Sequence, residues 1–195
     1  MNEAYRKQRL FWHHIDSFDK PEIKAYGADK ILLAGIEFML CDSKGEPKNI
    51  FIAANTCGES RMYYENNSPL GIGCLCGDES QIFTNIISSI LNEASDLTYN
   101  MDCYKRLPAP PTLSLVTFFA IGRKENFYKT LTYNEIHSLE HPYYPLYIYL
   151  RQLLNEMRKI EIIKLQAKAK ICQAKINGCV RIMTAKKLRK TRKKK

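Results

Sequence analysis

The stretch GIGCLCGDESQIFTNIISSIL, residues 71–91, sets two cysteines, Cys74 and Cys76, before two acids, Asp78 and Glu79, and then runs into an amphipathic segment. Thiolates hold zinc, and a carboxylate nearby can move the proton of a zinc-bound water. A thiolate at the mouth of a helix gains further from the helix dipole. The same residues also suit a plainer arrangement. Asp78 with Gln81 makes a capping-box-like pair at a helix start, and Cys74 and Cys76 can serve as small apolar residues in a strand.

Other side chains could do chemistry. Cys57-Gly58-Glu59 offers a thiol that needs a histidine base to act as a nucleophile, and His137 and His141 are the candidates. His13 and His14 lie beside Trp12 on an expected helix and read as half-exposed surface residues. Tyr63, Tyr64, Tyr143, Tyr144, Tyr147 and Tyr149 read as core and rim, or as platforms on which bases stack. No glycine loop has the strand–GxGxxG–helix spacing that cradles phosphate.

The run CLCGDESQIFTNIISSI resembles the cytidine deaminase family, whose second helix opens with Cys-Ala-Glu and continues through an apolar face. Cys76 falls on the family's zinc cysteine, Asp78 on its proton-shuttling glutamate, and Ile82 and Phe83 on apolar helix positions. KNIFIAANT looks like the family's second strand, and KTLTYNEIHSL is loosely similar to a later stretch. The resemblance covers residues 48–91 and implies a zinc-dependent deaminase acting on a nucleobase, with Asp78 moving the proton. The family also draws ligands from a Pro-Cys-x-x-Cys helix start, where this chain has only Cys103. The resemblance therefore implies zinc on Cys76, Cys74 and Cys103, with Cys57 or His141 as further candidates to complete the set.

Charge carries the strongest message. Of 30 basic and 20 acidic residues, 15 basic and one acidic lie between Arg158 and Lys195, a net +14, which leaves 15 basic against 19 acidic, a net −4, for residues 1–157. Lys186, Lys187, Arg189, Lys190, Arg192, Lys193, Lys194 and Lys195 form the terminal cluster. Such a run repels itself and has almost nothing apolar to bury, so it calls for a polyanion. Nucleic acid is the leading partner, because phosphate contacts release counterions whatever the sequence. An anionic membrane surface is the competitor, although the arm has no Trp or Phe to insert.

The elements that must position these residues follow from spacing. EAYRKQRLFWHHI is expected to be a helix bearing Leu10, Phe11 and Ile15, and KPEIKAYGADK a second one opened by Pro21 and stopped by Gly27. KILLAGIEFMLC and NIFIAAN flank DSKGEP as a hairpin buried on both faces. Residues 56–69 read as loop and LGIGCLC as a short strand or a tight approach to the next helix. That helix presents Ile82, Phe83, Ile86, Ile87, Ile90 and Leu91 on one face. RLPAPP breaks the chain, TLSLVTFFAI and NFYKTLT are strands, and YNEIHSLEH is a short helix or turn. PLYIYLRQLLNEM is a helix with Leu146, Leu150, Leu153, Leu154 and Met157 on one side. Ile162, Leu165, Ala169, Cys172 and Ile176 continue as a basic helix, broken at Gly178 and then frayed.

The expected fold class is α/β or α+β: a single mixed-sheet domain over residues 1–157 flanked by helices, then a basic helical arm over 158–195. No apolar run reaches the length of a membrane span, and the N-terminus lacks the apolar core of a signal peptide. Seven cysteines at no framework spacing suit free thiols in a reducing cytosol, with the nucleus as the alternative that a basic tail raises. The expected function is nucleic-acid binding through the arm with little sequence preference. The alternatives are the zinc-dependent deaminase and a non-catalytic interaction protein whose tail targets membrane or nucleus.

Overall fold

The computed structural model describes residues 1–14, 30–66, 68–69 and 71–192, with side chains through Cys172. The chain separates into two compact units, Met1–Met157 and Arg158–Lys195.

The first unit is built on one seven-stranded sheet in the order β4-β3-β2-β1-β6-β7-β5. Its strands are β1 Ile31–Cys41, β2 Pro47–Asn55, β3 Ser60–Glu65, β4 Ile72–Cys76, β5 Asp102–Tyr104, β6 Leu115–Gly122 and β7 Asn126–Thr132. Its helices are α1 Glu3–His13, α2 Gln81–Leu97, the single turn α3 Tyr133–Ile136, and the start of α4, which is assigned over Tyr144–Arg192. The expected sheet flanked by helices is present. Every ladder is antiparallel rather than mixed, which decides between the two fold classes in favour of α+β.

The expected hairpin forms the centre. β1 lies between β2 and β6, with Gly35 opposite Ala53 on one side and Phe119 on the other. Its residues from Ile31 to Glu37 are all buried. A strand that is apolar throughout needs cover on both faces. On one face α1 sets Tyr5 and Trp12 into a cluster with Leu32, Leu33, Phe51, Ala53, Phe119 and Ile121. On the other, α2 lies against β1, β2 and β6, burying Phe83, Ile87, Ile90, Ala94 and Leu97. The Tyr143 ring, just before α4, meets Phe118 at 5.2 Å. Leu146, Leu150, Leu153 and Met157 are buried behind it, and Leu154 sits half-buried at the margin.

Several expectations need correction. Residues 56–69 are not loop throughout, since Ser60–Glu65 form β3 and pair with both β2 and β4. Its buried positions include a serine, Ser60, beside Met62, so the alternation is hidden from a hydropathy reading. The buried face of α1 is Tyr5, Arg9, Trp12 and His13, whereas Phe11 is exposed. A buried arginine and histidine invert the apolar pattern from which the face was read. On α2, Ile82 is 57% exposed. The expected break at Gly178 is absent: the backbone stays helical to Arg192. Glycine within a helix costs only about 1 kcal/mol relative to alanine, so it weakens a helix without stopping it. Ile15, Pro21 and Gly27 lie outside the described residues.

Candidate functional site

The cysteine–acid stretch sits at one edge of the sheet. β4 is the last strand, paired only to β3, with Cys74 opposite Tyr63 and Cys76 opposite Arg61. Two residues apart on a strand, the thiols share a face, and their Sγ atoms lie 3.7 Å apart. Burial, and then the neighbouring Cys76, push the Cys74 thiol up to about 12, so it holds its proton at neutral pH. Cys103 lies on β5, the strand at the opposite edge of the sheet. The expected trio Cys74, Cys76 and Cys103 is therefore split across seven strands. Among the described residues, no group of three or more His, Cys, Asp or Glu lies together in a way that could hold a metal ion. The described residues do not fit the zinc that the deaminase resemblance implies.

Asp78 has a local role. Its Oδ1 accepts the Ser80 N–H at 3.0 Å in the turn between β4 and α2. The N-cap of α2 is Ser80, one residue before Gln81, and the Gln81 side chain donates to Asn85 Oδ1 at 2.7 Å. The expected Asp78–Gln81 capping box is thus replaced by an Asx turn that leads the chain into the helix. Gly77 makes the passage tight: a Cβ there would meet Ser60 Oγ at 2.1 Å.

Cys57-Gly58-Glu59 is the turn between β2 and β3, organised by Asn55. Asn55 Oδ1 accepts from Cys57 N at 3.0 Å and Glu59 N at 3.1 Å, while Asn55 Nδ2 donates to Glu59 Oε2 at 3.1 Å. Gly58 has a φ of +78°, which glycine adopts without strain. Cys57 packs against the core beneath α1. His137 follows β7 at the other end of the strands, where its ring lies 4.5 Å from Tyr133 and its Nε2 lies 3.4 Å from Tyr147 Oη. His141 packs on Tyr143 at 5.8 Å. Antiparallel alternation puts the β2–β3 turn and the end of β7 at opposite ends of the sheet, so thiol and base are not brought together.

Beside the β2–β3 turn, a cleft of about 170 Å³ is lined by Thr56, Gly58, Thr84, Ile87 and Ser88, with Lys30 at its rim. The tyrosines divide as core and rim: Tyr143 and Tyr147 are buried, while Tyr63, Tyr64, Tyr144 and Tyr149 are half-buried.

One constellation escaped sequence reasoning. Arg9 of α1 faces Glu37 of β1 with both side chains buried. Arg9 Nε donates to Glu37 Oε1, and Nη2 donates at 2.7 Å both to Glu37 Oε2 and to the Pro108 carbonyl. Burial raises the Glu37 carboxyl above its ordinary value, and the Arg9 hydrogen bonds work against that rise. One turn on, His13 Nδ1 lies 2.7 Å from Tyr104 Oη, and the ring packs 4.4 Å from Phe119. His13 is buried rather than half-exposed, and burial first, then Arg9 and His14, hold its pKa well below the usual imidazole range. His14 is exposed. The neutral imidazole and the satisfied ion pair fasten α1 and the Pro108 segment to the sheet. The pairing i, i+4 of Arg9 with His13 is legible in the sequence, but their partners lie 28 and 91 residues away.

The terminal basic cluster belongs to the second unit. Lys186, Lys187, Arg189, Lys190 and Arg192 stand on helical backbone, and Lys193, Lys194 and Lys195 lie outside the described residues. No helix among the described residues is long and apolar enough to cross a membrane. No family model, curated protein or solved structure matches this chain.

Proposed function

We propose that the protein binds nucleic acid with little sequence preference through the arm Arg158–Lys195. The observation that carries this reading is the charge division between the two units, +14 in the arm against −4 in residues 1–157. A helix carrying that charge tracks a phosphate backbone by counterion release, and nothing in such contacts distinguishes one base from another. Leu146, Leu150, Leu153 and Met157 belong to the core of the first unit and not to the arm. Nucleic acid is preferred to an anionic membrane because no arm residue is a Trp or Phe, the side chains that seat a surface helix among lipid tails.

Binding of the full chain to short duplex DNA, the matching RNA and vesicles rich in phosphatidylserine tests the reading, with each measured across a salt series. The expected result is nucleic-acid binding whose log affinity falls steeply with log salt, by about 0.9 for each phosphate neutralised on duplex DNA. Removing residues 184–195 should weaken binding and flatten that slope while leaving the thermal midpoint nearly unchanged. Equal binding by the truncated chain at every salt concentration, or binding to the vesicles alone, overturns the proposal.

A further inference from the structure

The arm carries a second pattern, independent of its charge. Ile162, Leu165, Ile163 and Ile171 are each more than half exposed, and Cys172 is exposed as well. In the sequence, Ile162, Leu165, Ala169, Cys172, Ile176, Cys179 and Met183 are separated by steps of three and four in strict alternation. That is a 3.5-residue repeat, which keeps one seam facing a partner helix only when the two helices supercoil. Ile163 and Ile171 lie off this seam, on a second stripe through Ala167 and Ala174 whose steps of four, four and three break the strict alternation and which then meets Gly178.

We infer that residues 162–183 pair in parallel and in register with the same segment of a second copy of this chain. The seam opens with Ile162 at an a position and Leu165 at a d position, the combination that favours two parallel strands. The flanking positions then select the orientation. In a parallel pair each g position faces the e position five residues on in the other copy. Lys168 then faces Gln173, Lys175 faces Val180 and Glu161 faces Gln166, so no like charges are opposed across these three pairs. An antiparallel pair with the seams meshed sets g against g, which opposes Lys168 and Lys175 twice. Parallel pairing brings two copies of the basic cluster that begins at Lys186 to the same end, where one polyanion can span both.

Five basic residues and no acids lie within residues 162–183, so the two helices repel each other at low salt. Screening shortens to about 3 Å at about 1 M salt. Pairing therefore strengthens with salt, whereas phosphate binding weakens with it. The opposite signs separate this inference from the nucleic-acid reading, and the test needs no nucleic acid.

Sedimentation of the full chain at tens of micromolar is the first measurement, at low and at high salt. The expected mass at high salt is twice the 22.6 kDa of one chain, with Leu165→Glu restoring the single-chain mass. Leu165 is exposed in one copy, so this substitution leaves the fold of the body untouched. The second measurement is oxidation with diamide, which takes up the two thiol hydrogens as the disulfide forms, followed by peptide mapping. Cys172 sits at a d position and should link to Cys172 of the other copy. A single-chain mass at every salt concentration, a dimer that survives Leu165→Glu, or a dimer with no Cys172–Cys172 link overturns the inference.

Discussion

Arg9 and Glu37 meet as a two-pronged ion pair with side chains 5% and 1% exposed. The arginine comes from a helix that opens the chain and the glutamate from the central strand of the sheet. Taking both charges out of water costs several kcal/mol per ion, which mutual attraction and full hydrogen bonding must offset. The pair sits where the α1 face of β1 could have been apolar. It fixes where α1 docks, because sliding the helix by one turn would leave two unpaired buried charges.

Removing one partner should therefore cost more than removing both. Arg9→Met or Glu37→Leu alone should destabilise the protein by about 3–5 kcal/mol, the range for an abandoned buried charge. The double variant should recover much of that loss. The Pro108 carbonyl would still lack its donor, a residual cost of about 1–3 kcal/mol. Urea unfolding midpoints at unchanged slope read these differences. A double variant no more stable than either single one would mean that the pair does not act as a unit.

His13 predicts a loss of stability on the acid side. Its folded pKa is held well below the ordinary imidazole value, first by burial and then by Arg9 and His14. Below about 6.5 the unfolded chain takes up a proton that the folded chain refuses, so stability is full above that pH and falls as pH drops beneath it. The slope for one such group approaches about 1.4 kcal/mol per pH unit. Glu37 runs the other way, since a raised carboxyl pKa loses stability as pH rises past its unfolded value. Comparing the protein with His13→Gln isolates the histidine: the difference in unfolding free energy between them should narrow as pH falls from 7 to 5. A constant difference across that window would show that His13 titrates alike in both states.

What the sequence made legible was periodic and local. The central hairpin, the two strands around GRKE and the α2 helix all follow from runs whose own spacing decides their form. The polar strand β3 and the three-residue β5 were not legible, because their apolar signal is weak and their pairing is supplied by neighbours far along the chain. The buried face of α1 was misread for the same reason. Arg9 and His13 look solvated until Glu37 and Tyr104 are placed opposite them. The zinc trio failed on topology alone: Cys76 and Cys103 are 27 positions apart in sequence, yet the strand order puts them on opposite edges.

Gly35 is the most exacting position in the sheet. A Cβ there would lie 2.1 Å from the Ile52 carbonyl oxygen and 2.4 Å from Phe119 Cζ. Backbone cannot step aside cheaply, and the Phe119 ring is already stacked on Phe51 at 5.1 Å. Gly35→Ala should therefore cost at least the about 1–3 kcal/mol typical of overpacking, and lower the thermal midpoint accordingly. A variant as stable as the parent would mean that β1 can shift relative to β2 without loss.

Asp78 separates a turn from a proton carrier. Its Oδ1 accepts the Ser80 N–H, and an amide oxygen accepts that bond as well as a carboxylate does. Asp78→Asn should therefore leave the unfolding midpoint nearly unchanged. Asp78→Ala removes the acceptor and should cost about 0.5–2 kcal/mol, as loss of a capping side chain does. The chemistry implied by the deaminase resemblance predicts the reverse sensitivity. Asn cannot shuttle a proton, so Asp78→Asn would abolish any release of ammonia from cytidine while sparing the fold. Measuring both variants for unfolding, and the parent for zinc content and ammonia release, distinguishes the two roles. The expected outcome is a stable Asp78→Asn protein, a destabilised Asp78→Ala protein and no ammonia release from the parent. Stoichiometric zinc in the parent, with ammonia release that Asp78→Asn abolishes, would overturn the turn-only role of Asp78.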